Sequence, residues 1–166
     1  MFSAVDIARY FLAKDPDREI FSANLIERNG AKFYEGNGKL NKFLHLSQNM
    51  YIARFGTPLF VDDLFAYTNG AVALDVMHNY ATLQKSEAIE PNLEDAVSEF
   101  LNRMFHMLKN ASVDDLIELS HEDEEWAEKH GKKSQKMDSV TRVDEYKKRY
   151  KDALIILYRM DVGVND

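Results

Sequence analysis

The sequence predicts a mainly α fold: a single-domain helical bundle of six to eight helices, with room for one small β-hairpin near residues 20–35. Three observations carry this prediction. The chain has 166 residues but only three prolines and seven glycines, so long regular elements are expected. Apolar residues recur at helical spacing in several segments. Those segments tend to start at Ser or Asn and stop at Gly, residues that satisfy the orphan backbone groups at helix ends. A chain of this length buries roughly two-thirds of its extended surface, so one domain spanning 1–166 is the expectation.

The first helix is expected over residues 4–14. Ser3 and Asp6 form a capping box, and Val5, Ala8, Phe11 and Leu12 make one apolar face. Asp15-Pro16-Asp17 ends it, because proline disfavours helix in the residue before it. Asn29-Gly30, between Ile20-Phe21 and Ala31-Lys32-Phe33-Tyr34, fits a type I′ turn and hence a hairpin. Gly36-Asn37-Gly38 opens a helix over residues 39–55. Leu40, Phe43, Leu44, Ser47 and Tyr51 form one stripe on it, and Phe43, Leu46, Met50 and Ala53 an adjoining one. Two adjoining stripes bury more than half the circumference, so this helix is expected at the centre. Gly56 and Pro58 stop it.

Residues 58–61 read as a short extended piece. Asp62 or Asp63 reads as the cap of a helical turn through Tyr67, and Asn69-Gly70 as a break. A helix over 74–84 turns Val76, Met77 and Tyr80 inward. The helix over 93–109, capped by Asn92, has the core face Leu93, Val97, Phe100, Leu101, Met104, Phe105 and Leu108. Ser112 with Asp115 starts the next helix, and Ser120 with Asp123 another. Glu122 to Glu125 load the first turn of that helix and Lys129 and His130 its last, in the sense the helix dipole favours. Residues 132–141 read as a polar loop, 143–160 as a final helix, and 163–166 as a fraying end.

Composition excludes several function classes. There is no cysteine, hence no disulfide scaffold, Cys-based zinc site or cysteine nucleophile. No apolar run approaches the roughly 18 residues of a membrane span, and the start lacks the basic region of a secretory signal; a cytoplasmic protein is expected. The net charge of −7 disfavours sequence-independent phosphate binding. No nucleophile elbow, phosphate-cradling glycine loop or His-Glu-x-x-His occurs, so no catalytic residue, metal ligand or cofactor is nominated and the protein is read as not an enzyme.

Three segments, in order, carry a family resemblance. Lys39-Leu40-Asn41-Lys42-Phe43-Leu44-His45-Leu46-Ser47-Gln48 is similar to a motif K-L-Q-K-L-L-Y-F-A-Q. Pro58-Leu59-Phe60 is followed by Ala66-Tyr67-Thr68-Asn69-Gly70-Ala71-Val72-Ala73-Leu74-Asp75-Val76-Met77, against A-W-x-x-G-P-V-x-P-x-V-Y. Tyr67, Ala71, Leu74 and Met77 depart from that pattern. The third segment is Leu116-Ile117-Glu118-Leu119-Ser120-His121, with the sole tryptophan, Trp126, and Ala127 beyond it. Together these resemble the Panacea domain family, the SocA-like antitoxins, which includes phage-associated members. The resemblance implies a protein-binding module that neutralises a cognate toxin protein by direct contact. It also implies, for some members, an adapter that delivers the toxin to a bacterial protease. A dimer is compatible with it.

Candidate contact residues follow. Asn41, His45, Gln48 and Asn49 form a polar stripe on the central helix that faces solvent or lines a groove, the solvated face being the commoner arrangement. Tyr67, Asn69, Gly70 and Val72 make an aromatic turn that can present an edge to a partner. His121 could act as a base or ligand in a metal-dependent hydrolase; local hydrogen bonding is the commoner fate of such a ring. On a continuous helix His121 and His130 would lie on opposite faces. Trp126 fits a partner anchor or a core plug for an otherwise polar helix. Residues 112–128 hold eight acids and no Lys or Arg, and 129–151 nine Lys or Arg and three acids. The basic run could serve a nucleic-acid-binding regulator, but pairs such as Glu125–Lys129 and Glu128–Lys132 fit solvated helix contacts instead.

Overall fold

Helix α2 (Glu35–Phe55) is the axis of the molecule. The computed structural model describes residues 1–87, 89–131 and 135–162. Within these residues α2 packs against helices α1 (Ala4–Ala13), α3 (Leu74–His78), α5 (Asp95–Leu108), α6 (Val113–His121), α8 (Val143–Arg149) and α9 (Lys151–Arg159), and against strands β2 (Ala31–Tyr34) and β4 (Gly70–Ala73). Ten successive residues, Asn41 to Met50, are buried. The ring of Phe43 meets those of Phe11, Phe21 and Phe105 edge-on at 5.3, 5.1 and 6.3 Å, the arrangement aromatic quadrupoles favour. The central position expected for this helix is found.

Its start is not. α2 begins at Glu35, so the glycines lie inside its first turn. A Cβ on Gly36 would sit 2.0 Å from the Tyr80 hydroxyl and 2.3 Å from the backbone of Phe21. Gly36 therefore permits close packing and does not break the helix. At the other end Gly56 adopts φ 79° and its N–H reaches the Ile52 carbonyl, as a left-handed cap requires. The two capping boxes at Ser3–Asp6 and Ser112–Asp115 form with both bonds in place.

The predicted hairpin is present as β1 (Leu25–Arg28) and β2, paired Leu25↔Tyr34 to Arg28↔Ala31. Asn29 and Gly30 both have positive φ, 51° and 80°, as a type I′ turn demands. Phe21 lies outside it and packs into the core. A second, unexpected sheet replaces the helical turn foreseen at 62–67: β3 (Leu64–Tyr67) pairs antiparallel with β4, and β5 (Gln135–Lys136) adds to the other edge of β3. Leu64 and Ala66 are buried while Phe65 and Tyr67 are half-buried, the period of two that belongs to a strand.

Nine α-helices occur among the described residues, more than the six to eight expected, because two predicted helices each break in two. Asn79 separates α3 from α4 (Tyr80–Lys85), and its side-chain amide donates to the Asp75 carbonyl at 2.7 Å, competing with the helix ladder. Tyr150 separates α8 from α9 at φ −100°, ψ 9°. Helix α5 starts at Asp95 with Glu94 in the capping position, so Asn92 is not its cap. Ser120 likewise starts nothing: it lies within α6 and donates to the Ile117 carbonyl at 2.7 Å. The short helix α7 (Glu124–Lys129) is capped by Asp123. The expected loop at 132–141 contains β5 and a 3-10 turn, Ser139–Arg142. The fraying predicted for 163–166 lies outside the described residues. Among the described residues no helix is long and apolar enough to cross a membrane.

Candidate interaction site

The polar stripe of α2 faces neither solvent nor groove as a whole. Asn41, His45, Gln48 and Asn49 are buried, with His45 and Asn49 at 0 % exposure. A helix packed on all sides needs buried partners for its polar groups; each side chain here has at least one, while the His45 Nδ1 and Asn49 Oδ1 have none among the described residues. The Gln48 Oε1 accepts the Leu59 and Phe60 N–H groups at 2.7 and 3.3 Å, which fixes the extended piece after Gly56. The Asn41 Oδ1 accepts the Ala73 N–H at 2.9 Å, which fixes the end of β4. His45 and Asn49 both donate to the Asp123 Oδ2, at 2.6 and 2.8 Å. His45, Gln48 and Asn49 therefore fasten the fold from inside.

Asp123 is the hub. Besides His45 and Asn49, its Oδ1 accepts the Tyr146 hydroxyl at 2.6 Å and the Glu125 N–H at 2.8 Å. Burial alone would raise this carboxyl, but the hydrogen bonds and charge of His45, with Tyr146 and Asn49, hold it down at about 2. Burial, and next the charge of Asp123, push the Tyr146 and Tyr150 hydroxyls well above the usual phenol range. One carboxylate thus locks α2, α7 and α8 together.

Asp123 also ends the continuity of helix between residues 121 and 130, and this corrects the expected divergence of the histidines. His121 and His130 stack on opposite faces of the Trp126 indole at 3.9 and 4.1 Å between ring centres. The indole N–H donates to the Tyr67 carbonyl at 2.8 Å, and the His121 Nε2–H to the Thr68 carbonyl at 3.1 Å. Trp126 is buried and ties α7 to the end of β3. Burial, above all, lowers the pKa of His121. Among the described residues no group of three or more His, Asp or Glu side chains is placed to hold a metal ion.

The acidic and basic runs face each other. Arg142 pairs with Glu125, Glu128 and Glu145, Arg149 with Glu124, and Lys129 with Glu125. The foreseen Glu128–Lys132 pair lies outside the described residues. Three of the nine cationic residues of 129–151, Lys129, Arg142 and Arg149, are thereby engaged by acids of this chain.

A groove of about 290 Å³ opens between the two hairpins and the start of α2, lined by Phe33, Asn41, Lys42, Tyr67, Asn69, Gly70 and Val72 among others. It gathers five residues nominated from sequence. The hairpin tips close over one rim: Asn29 donates to the Asn69 side-chain oxygen at 2.6 Å, and Asn69 to the Arg28 carbonyl at 3.1 Å. Gly70 has φ 118°, and a Cβ there would lie 2.4 Å from Ser120 Oγ and 2.6 Å from Lys42 Cε. Only glycine lets β4 cross so close above Lys42. Lys42 was not nominated from sequence, and Asp123 entered only as a capping-box partner and as a neighbour of His121. Lys42 stood in the quoted motif as one of two lysines three apart, with no signal separating it from Lys39.

The family model for the SocA-like antitoxin, Panacea domain, matches residues 40–127, from the buried stretch of α2 through both strands of the second hairpin to Trp126. No curated protein and no solved structure matches the chain. The match spans just over half of the 166 residues, and the chain belongs to the SocA-like Panacea domain family.

Proposed function

We propose that this protein is a cytoplasmic antitoxin that neutralises a cognate toxin protein by direct binding. Its family membership is the observation that carries the reading. The action is steric cover of the toxin's working surface and involves no reaction on a bound substrate. The contact surface is the pair of hairpin tips and the groove between them, with Tyr67, Asn69, Gly70 and Val72 as its members and His121 at its edge. His45, Gln48 and Trp126 act beneath that surface by holding it in shape, since their side chains are buried.

The test is co-expression with the product of the adjacent reading frame. That product alone is expected to arrest growth; with this protein, growth returns and the two co-elute as one complex. A neighbour that is neither toxic nor bound refutes the reading. The toxin's half-life in the same cells separates simple cover, which leaves it long-lived, from delivery to a bacterial protease, which shortens it.

A further inference from the structure

Lys42 has a place in the groove that folding alone does not require. Lys42 as a residue is 3 % exposed, yet among the described residues its ammonium has no hydrogen-bond or carboxylate partner. Lysines are almost never this buried unless paired, since an unpaired buried charge is costly. Burial pulls it down to about 8, so it remains mostly cationic at neutral pH.

The surroundings point to the missing partner. The chain carries 28 acidic residues against 21 basic ones, but none of the acids lines this groove. A second lysine, Lys32, stands exposed at the mouth. The walls are Phe33, Tyr67, Val72 and Met77, apolar surfaces that accept methylene groups and, by excluding water, strengthen attraction between charges. At about 290 Å³ the cavity lies at the small end of ligand pockets, a size for one inserted side chain.

We propose that this groove is a carboxylate pocket: the partner polypeptide inserts an aspartate or glutamate side chain between the hairpins and pairs it with the Lys42 ammonium. The polypeptide source of the carboxylate rests on the antitoxin reading; the ligand chemistry does not. A polynucleotide fits less well, because one cation-lined pocket on a chain of net charge −7 repels an extended polyanion everywhere else.

The experiment uses full-length protein with labelled lysines, the Lys42 side-chain resonance being assigned by its loss in Lys42→Met. The probe is a blocked glutamate residue, N-acetyl-glutamate N-methylamide. Its glutamine analogue, succinate and inorganic phosphate are titrated alongside. The blocked glutamate is expected to shift the Lys42 signal saturably and to raise its titration midpoint by about one unit, a tenfold preference for the charged form. The glutamine analogue leaves the signal unmoved. An equal response to the glutamine analogue, no saturation, or binding of succinate or phosphate alone overturns the proposal. Lys42→Met replaces a buried ammonium by an apolar chain of similar length, so it is expected to melt no lower than wild type. With the toxin in hand, Lys42→Met weakens the complex at least about tenfold; unchanged affinity overturns the pocket's role while leaving the antitoxin reading intact. Conversely, a harmless neighbour removes the antitoxin reading without touching the titration result.

Discussion

Replacing Asp123 by alanine removes the acceptor of four buried hydrogen bonds, from His45, Asn49, Tyr146 and the Glu125 N–H. Each buried donor left unpaired costs about 1–3 kcal/mol. The four share one centre and relax together, so they do not simply add; a loss of about 4 kcal/mol is expected. That is a large part of the roughly 5–15 kcal/mol that stabilises a domain, and it lowers Tm by about 8–16 °C at this chain length. Urea unfolding followed by far-UV dichroism and Trp126 emission measures it. The acid limb gives an independent check. The carboxyl titrates at about 2 in the folded chain against 3.8 when unfolded, so between those values the unfolded chain binds more protons. The resulting stability, on the order of 2 kcal/mol, is complete above about pH 4 and is lost as pH falls towards 2. Asp123→Ala lacks that slope. A cost below about 1 kcal/mol, or an unchanged acid limb, refutes the hub.

Other substitutions test the remaining parts. Gly70→Val forces a side chain into Ser120 and Lys42 at positive φ and is expected to cost about 3 kcal/mol by strain and overpacking, read by urea midpoint. Trp126→Ala should cost about 3–5 kcal/mol, whereas Trp126→Phe, which keeps a ring between the histidines but loses the bond to the Tyr67 carbonyl, should cost about 1–2 kcal/mol. Because His121 titrates below its ordinary 6.5 in the folded chain, the unfolded chain binds the proton first and stability falls as pH drops below 6.5; in a His130→Gln background, Trp126 emission should be quenched with a midpoint under 6.5, and His121→Asn should abolish that step. With Arg142 and Arg149 engaged by Glu124, Glu125, Glu128 and Glu145, no mobility shift is expected on duplex DNA or RNA at low salt; a shift that weakens steeply with salt would restore the nucleic-acid reading.

The helical frame was legible where local chemistry decides it. The apolar faces of α1 and α5, the capping boxes at Ser3 and Ser112, and Gly56 all act within a few residues of themselves. The Asn29-Gly30 hairpin was legible for the same reason. The second hairpin was not: Leu64-Phe65-Ala66-Tyr67 and Gly70-Ala71-Val72-Ala73 are short apolar runs whose period cannot be told from sequence, and β5 joins them from about 70 residues away. The polar stripe was misjudged because what buries it is remote. His45 meets Asp123 across 78 positions, and nothing local separates a satisfied buried amide from a solvated one. The histidine stack was hidden by the assumption of one helix through residues 121–130, which the cap at Asp123 interrupts.

Backbone hydrogen exchange on the complex with the neutralised toxin reports the contact surface most directly. Binding is predicted to slow exchange at residues 28–34 and 67–72, the two hairpin tips around Lys42, and to leave α8 and α9 as they are in the free protein. Slowing confined to residues 143–159, with the hairpin tips exchanging as before, would contradict it.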